Sequence, residues 1–483
     1  MTDALFVKKP DRMTKKLKKP AFHEIVVEDL AYGGRGIARQ DGLVWFIDGA
    51  IPGQKVRVRI RKKRKTYIES YVVELLEPSP RQIDAPCPYF GICGGCQLQN
   101  MPYHDQCNVK ADQVRSMLSH IGGIKNIQIE PVIPADPIYG YRNKMEFTFS
   151  PRRWLVNSEE KNPSSFALGF HPKRRFDKIL DLKACLLQSD RANQLFAELK
   201  DLVRQSGLPC YNIKTHEGVW RFLVVREGGN TGDMMVNLIT STQQADKCRS
   251  AVAWIMDKIS TEHPDLTTLI HSTTDRLAEI AYGEHEQILL GDGKITDRLG
   301  SRTYSISPNA FFQTNSFQAE KLFSTILKQA KFSQSDVVYD LYCGTAAIGI
   351  YIADHVRQVI GIEAIESAVE DGRRNIQMNH LQNIELIQAD MKDILRDESF
   401  YENYPRPDAV VFDPPRGGPH PKTIRGLLEL APEKIIYVSC NPSILARDLQ
   451  ILCESRYQPV HIQPVDMFPH TGHIEVIAVL QMK

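Results

Sequence analysis

The spacing of apolar and polar positions divides the chain into three textures. From Phe22 to about Glu77, short alternating runs are separated by glycine turns. In KVRVRIRKKRK, Lys55, Arg57, Arg59 and Arg61 fall on one face, and Val56, Val58 and Ile60 on the other. That is the mark of a half-buried strand with a cationic outer face. Several such strands in one short segment predict an OB-like β-barrel over residues 21–79. A proline-rich linker, PSPRQIDAPCPY, follows, and then a helix from about 102 to 120. From 80 to about 300, short strands mix with amphipathic helices and no repeat is visible, which predicts an α+β central domain. Its segment from about 97 to 130 is expected to pack on the part that follows.

The third texture is the clearest. The runs VVYDLY, VIGIEA, IELIQAD, DAVVFDPP and KIIYVSC alternate with helical stretches such as AAIGIYIADHV. Strands alternating with helices predict a doubly wound, mostly parallel sheet, so residues 301–483 are expected to form an α/β domain. Ligands of such a sheet lie at the carboxyl ends of its strands.

Length and composition agree with this division. A chain of 483 residues, 42% hydrophobic and 24% charged, suits about three folded domains. No apolar run approaches the roughly 20 residues of a membrane span. The opening MTDALFVKKPDRMTKKLKKP is basic and proline-interrupted rather than signal-like, so a disordered basic tail over 1–20 and a cytoplasmic address are expected. Charge changes the picture more. Residues 1–80 hold 17 Lys and Arg against 10 Asp and Glu, so a local +7 hides within a net charge of +2. A basic module on a mildly acidic body points to a polyanionic partner, with a solubilising tail as the alternative. Nothing in the sequence asks for an obligate protein partner.

The strand ends carry the chemistry. The first ends in Asp340-Leu341-Tyr342-Cys343-Gly344-Thr345 and the second in Glu363, 23 residues after Asp340. An acidic residue there can accept hydrogen bonds from both ribose hydroxyls. The turn lacks GxGxxG, so a pyrophosphate cradle is not expected, and one glycine suits a phosphate-free ligand such as S-adenosylmethionine. Asp390 closes the third strand, where adenine contacts are possible. Two further ends read Asp413-Pro414-Pro415-Arg416-Gly417-Gly418 and Ser439-Cys440-Asn441-Pro442. Prolines hold the preceding residues extended. Cys440 sits before a helix, whose N-terminus is expected to favour thiolate, making it a candidate nucleophile; a structural buried cysteine is the alternative.

FDPPRGG, YVSCNP and the C-terminal HIEVIAVL, in that order, resemble the RNA 5-methyluridine methyltransferase family over nearly the whole chain. The resemblance implies a Rossmann-like S-adenosylmethionine-dependent methyltransferase domain. It implies that Cys440 adds to carbon 6 of a uracil and that Glu475 removes the proton at carbon 5. Flanked by Ile474 and Val476, Glu475 is expected to have a raised pKa. Cofactor contacts map onto Gln313, Tyr342, Glu363 and Asp413, with Asp390 a further candidate. Asp413 could position cofactor or base, and Arg416 could meet a phosphate, the ring or a structural partner. Phe311 and Phe312 could stack on a base extruded from folded RNA, or pack the core.

Cys87, Cys93 and Cys96 lie in CPYFGICGGC, a Cys-x5-Cys-x2-Cys spacing. Three close thiolates and one distant one can hold an iron–sulfur cluster, with zinc, or Cys107 as the fourth ligand, as alternatives. Resemblance to the cluster-bearing branch of the family implies a 4Fe-4S cluster with Cys185 as its fourth ligand. The barrel resembles a TRAM domain, and Arg61–Lys65 with Tyr67 suits phosphate and base contacts. Arg142 and Lys144 could add to them. Barrel and cysteines together resemble bacterial enzymes acting on 23S ribosomal RNA; transfer RNA is the alternative substrate. A noncatalytic RNA-binding assembly factor is the alternative of another class, and amino-group methylation is disfavoured by Arg416 in place of an aromatic residue.

Overall fold

The computed structural model describes residues 22–125, 127–156 and 165–483. The basic tail expected over 1–20 lies outside the described residues. The chain groups into two bodies, one reaching Ala31 and including Arg35–Arg81, the other comprising Tyr32–Gly34 and Gln82–Lys483.

The first body is a six-stranded sheet around Ile25, Val27, Trp45, Ile47, Val56, Val58 and Ile68, all buried. The alternation in Lys55–Lys63 holds where the strand meets its neighbours, with Val56 and Val58 fully buried. Its cationic face is largely paired within the body. Lys55 meets Glu77 at 3.2 Å, Arg57 meets Glu24 at 3.0 Å and also Glu74, and Arg61 meets Glu69. These exposed pairs stabilise little individually, yet they leave less uncompensated charge than the sequence suggests.

In the second body, a seven-stranded sheet runs from edge strand His285–Leu290 through Thr268–Thr273, Met234–Thr240, Trp220–Glu227, Lys144–Ser150 and Ala167–Phe170 to Leu180–Asp181. Met234–Thr240 is buried throughout, so its apolar run shows no alternation from which to read a strand. Helices Asp190–Gln205 and Ala245–Glu262 share its core.

A second seven-stranded sheet, built from residues 337–482, is mostly parallel, as expected. Its strands lie in the order Ile384–Gln388, Gln358–Glu363, Val337–Leu341, Ala409–Phe412, Lys434–Ser439, Glu475–Met482, Tyr457–Val465. The first five are parallel, while Glu475–Met482 inserts antiparallel between Lys434–Ser439 and Tyr457–Val465. That insertion brings the start of one strand, Glu475, beside the end of another, Ser439, through the pair Ser439–Val476.

Helix Tyr103–His120 packs on helix Pro442–Ser455 of this sheet. Its Lys110 forms a fully buried ion pair with Asp466 at 2.7 Å and also donates to the Phe468 carbonyl. Tyr103 donates to the other Asp466 oxygen at 2.9 Å. Lys110→Met is therefore expected to cost about 3–5 kcal/mol by stranding the Asp466 charge. Urea unfolding would measure it, and a loss below about 1 kcal/mol would place the pair with weak surface bridges.

Candidate active site

The turn after strand Val337–Leu341 is shaped by backbone conformation. Tyr342, Gly344 and Ala346 have φ of 59°, 54° and 61°, so two residues bearing side chains are held in the left-handed region. Such strain persists where surroundings impose it, and it gathers at ligand sites. Glu363 is the main restraint. One carboxylate oxygen accepts from Gly344 N at 3.0 Å, the other from Ala364 N and Ile365 N at 2.8 and 2.9 Å. A carboxylate offers about four acceptor directions, so Glu363 retains capacity for a hydroxyl. Asp340, buried behind the turn, accepts from Gly349 N at 2.9 Å, and burial pushes its pKa up to about 7.

The Asp-Pro-Pro and Ser-Cys-Asn-Pro ends are bound together. Asn441 donates its side-chain amide to the Arg416 carbonyl at 3.3 Å and caps helix Pro442–Ser455 by accepting from Ser443 N. Cys440 thus lies just outside the first turn, half-buried. The expectation of a stabilised thiolate is corrected here. Burial, then the charges of Glu475 and Asp413, push the thiol up to about 12, outweighing Arg416, which lowers it. Desolvation and the two nearby carboxylates outweigh what a helix terminus contributes.

Glu475 behaves as expected. It is buried, and burial with the neighbouring Asp413 raises its pKa well above the carboxylate range while Arg416 opposes. Asp413, half-buried, is pushed up to about 7 by burial alone. Cys440, Glu475, Asp413 and Arg416 therefore form one electrostatic group, and Asp413 links it to Asp340. Tyr342, its pKa raised by burial, feels both Asp390 and Glu363. Asp390 is exposed, and its bond to Lys392 at 2.6 Å holds its pKa down. Gln313 precedes helix Ser316–Ala330, and its carbonyl accepts from Asn143 at 3.0 Å. Phe312 is buried among the core side chains, whereas Phe311 is 70% exposed and free to meet a ligand. Arg416 is exposed and meets His473 at 3.4 Å.

Two participants escaped the sequence reading. Tyr32 donates to the Cys440 carbonyl at 2.6 Å across 408 residues. Its neighbour Gly33 donates to Gly472 O at 3.2 Å, and a Cβ on Gly472 would lie 2.5 Å from the Gly33 backbone. His473, half-buried beside Arg416, has its pKa lowered to about 4, first by desolvation and then by the Arg416 charge, and is neutral at physiological pH. No local pattern signals either residue.

Cys87, Cys93, Cys96 and Cys185 line one cavity of about 500 Å³, which Arg142, Lys144 and Phe311 also reach. All four are free thiols. Cys96 feels the charges of the other three. Among the described residues, no three His, Cys, Asp or Glu side chains form a single-ion site. Lys144 is paired with Glu146 at 2.6 Å. Cys107 lies apart, beside Asp466 and Tyr103, which removes the support for it as the fourth ligand.

Comparison with known proteins decides the family. Residues 141–483 match the family described as tRNA (Uracil-5-)-methyltransferase, and residues 23–73 match the TRAM domain. The chain belongs to the tRNA (uracil-5-)-methyltransferase family. Among its relatives, one from Chlorobaculum tepidum, described as an uncharacterized RNA methyltransferase, is 40% identical over 91% of each chain. Another so described, from Caldanaerobacter subterraneus, is 36% identical over 95% of this chain and 98% of its own. The solved tRNA (uracil-54, C5)-methyltransferase of Pyrococcus abyssi, in complex with S-adenosyl-L-homocysteine, superposes with a TM-score of 0.74. It is 28% identical and covers 95% of this chain and 100% of its own. Membership makes the protein an S-adenosylmethionine-dependent RNA methyltransferase, with the TRAM domain as an RNA-binding module. No helix among the described residues is long and apolar enough to cross a membrane.

Proposed function

We propose that the protein methylates carbon 5 of one uridine in 23S ribosomal RNA, with Cys440 as nucleophile and Glu475 as base. The observation that carries this reading is the electrostatic union of Cys440, Glu475, Asp413 and Arg416 at neighbouring strand ends. When bound, S-adenosylmethionine supplies an electrophilic methyl group. Gln313, Tyr342, Glu363, Asp390 and Asp413 are the residues that would hold it. Their chemistry fits, since carboxylates suit ribose hydroxyls and a cationic sulfonium.

Carbon 5 of uracil reacts poorly until a nucleophile adds at carbon 6. Cys440 Sγ forms that bond once its proton has passed to Asp413, the neighbour whose ionisation lies near pH 7. The electron pair of the double bond then makes carbon 5 the nucleophile that takes the methyl group. Glu475 removes the remaining proton from carbon 5. The electrons of that C–H bond restore the double bond and expel the Cys440 thiolate. One methyl group has replaced one proton and S-adenosylhomocysteine is the leaving group; the proton on Asp413 returns to the Cys440 thiolate, and the proton taken by Glu475 passes to water. A base within folded RNA must first be extruded to reach this pocket.

Residues 1–20, 21–79, 80–300 and 301–483 are read as tail, TRAM barrel, central domain and catalytic domain, in a cytoplasmic protein. The four cysteines are assigned a 4Fe-4S cluster. Terminal thiolates of such a cluster attach to different irons, so they stand farther apart than ligands of one ion. Four free thiols around one cavity suit that demand. Cysteine addition needs no electron transfer, so the cluster's role is structural or RNA-positioning.

Transfer RNA is the second reading, favoured by the superposition on the Pyrococcus abyssi protein. The deciding measurement supplies a tritiated methyl donor with unmodified ribosomal or transfer RNA, then maps the labelled uridine by mass spectrometry. Label on a 23S uridine is expected. Label confined to transfer RNA would overturn the ribosomal assignment, and label on neither would favour a noncatalytic binding role.

A further inference from the structure

Gln97 lies between two loops that the reaction scheme treats separately. It directly follows Cys96 in the cysteine loop. Its side-chain amide donates to the Gly95 carbonyl at 2.7 Å and to Gly94 at 3.4 Å. The oxygen of the same amide accepts from Gly472 N at 3.0 Å, across 375 residues. Its backbone N and that of Leu98 both donate to the His470 carbonyl, at 2.9 and 3.0 Å. One residue therefore fastens the turn between Cys93 and Cys96 to the segment His470–Gly472. Glu475, which opens its strand, follows that segment after two residues.

The far side of the segment is held rigidly. Asp466 is locked by Lys110 and Tyr103, Met467 O accepts from Asn315, and His470 N donates to Gln106 Oε1 at 2.9 Å. His470 also stacks on Tyr139 with ring centroids 4.2 Å apart. Near Gly472, by contrast, the side chain closing the loop from the cysteine side is that of Gln97. A shift of about 1 Å in a general base is enough to slow proton transfer strongly, so a restraint three residues before Glu475 matters.

We propose that Gln97 is a positioning residue for Glu475, holding the base-bearing segment against the cysteine loop through Gly472. The proposal rests on Glu475 being the base that resolves the covalent adduct. Gln97 touches neither RNA nor cofactor in this scheme. Its loss should leave RNA binding and adduct formation intact and slow only the step in which carbon 5 loses its proton. Any displacement of the Cys93–Cys96 turn would reach Glu475 by the same amide.

The test follows a single turnover of the intact protein on an RNA it methylates, comparing wild type, Gln97→Met, Gln97→Glu and Glu475→Gln. RNA affinity, the rate of adduct formation and the rate of adduct decay are read separately. Decay is compared at its alkaline plateau, where changes in the ionisation of Glu475 no longer enter. Gln97→Met, close in size but unable to accept from Gly472 N, should decay about 10-fold more slowly, with formation and affinity unchanged. Gln97→Glu keeps the acceptor for Gly472 N but loses the amide that donates to Gly95 O, so it should decay faster than Gln97→Met and more slowly than wild type. That rescue also separates positioning from a general failure to fold. Wild-type decay in Gln97→Met, or changes confined to RNA affinity, would overturn the proposal. If Glu475→Gln itself fails to slow decay, the assignment of the base falls, and the positioning proposal falls with it. If Glu475→Gln traps the adduct while Gln97→Met does not, the positioning proposal alone falls.

Discussion

Cys440→Ala is expected to abolish methylation, lowering kcat/KM by on the order of 10⁴-fold or more. The magnitude follows from its task. Without addition at carbon 6, carbon 5 of uracil has no electron pair to offer a methyl donor, and no other thiol stands in this electrostatic group. Cys343, in the turn after strand Val337–Leu341, is buried against Gly361 and held far above ordinary thiol pKa by burial. Serine should not rescue the loss, because the pocket already pushes a thiol up to about 12 and a hydroxyl would be harder still to ionise. The check combines mass spectrometry of the uridine with a denaturing gel for the protein–RNA adduct. RNA binding should persist while product and adduct both vanish. Methylation retained in Cys440→Ala would rule out covalent catalysis through this residue.

Glu475→Gln should separate the two halves of the reaction. Cysteine addition and methyl transfer need no base at carbon 5, so the adduct should form and then persist. Resolution should slow by about 10²- to 10⁴-fold, and the denaturing gel should show the trapped complex. The pH dependence has a defined sign. Burial and the charge of Asp413 raise the Glu475 pKa, so its carboxylate form is lost at a higher pH than in an ordinary glutamate. Only the carboxylate can accept the proton, so wild-type decay should rise with pH to a plateau once Glu475 is ionised. In Glu475→Gln the profile should be flat and low. Unchanged pH dependence in the variant would assign the ionisation to another group. Adduct resolution at the wild-type rate would remove Glu475 from the chemistry.

The strand ends proposed to carry catalysis are legible in the sequence because their signals are local. Strand Val337–Leu341 is buried throughout, and Glu363 and Asp413 each close or follow a buried run at the place where the sheet binds ligands. The Asp-Pro-Pro and Cys-Asn-Pro ends carry their own conformational restraints. The ionisation of Cys440 was misread for a complementary reason. A helix terminus is visible in sequence, whereas the field of two carboxylates brought alongside it is not. The central sheet was hardest to read because a strand such as Met234–Thr240, buried on both faces, shows no period of two.

Sequence alone determined the parallel strand and helix order, the basic alternating barrel segment and the residues capable of nucleophilic, basic and ligand chemistry. These follow from side-chain periodicity and from turn residues whose effects reach only a few positions. Tertiary structure decided which of them meet. The antiparallel insertion of Glu475–Met482 sets Glu475 beside the end of the strand that precedes Cys440. Tyr32 reaches Cys440 across 408 residues, Gln97 reaches Gly472 across 375, and Lys110 reaches Asp466 across 356. Contacts at such separations depend on chain closure and on the burial that makes an ion pair or a raised carboxylate pKa possible. Neither quantity is a property of any short stretch of residues.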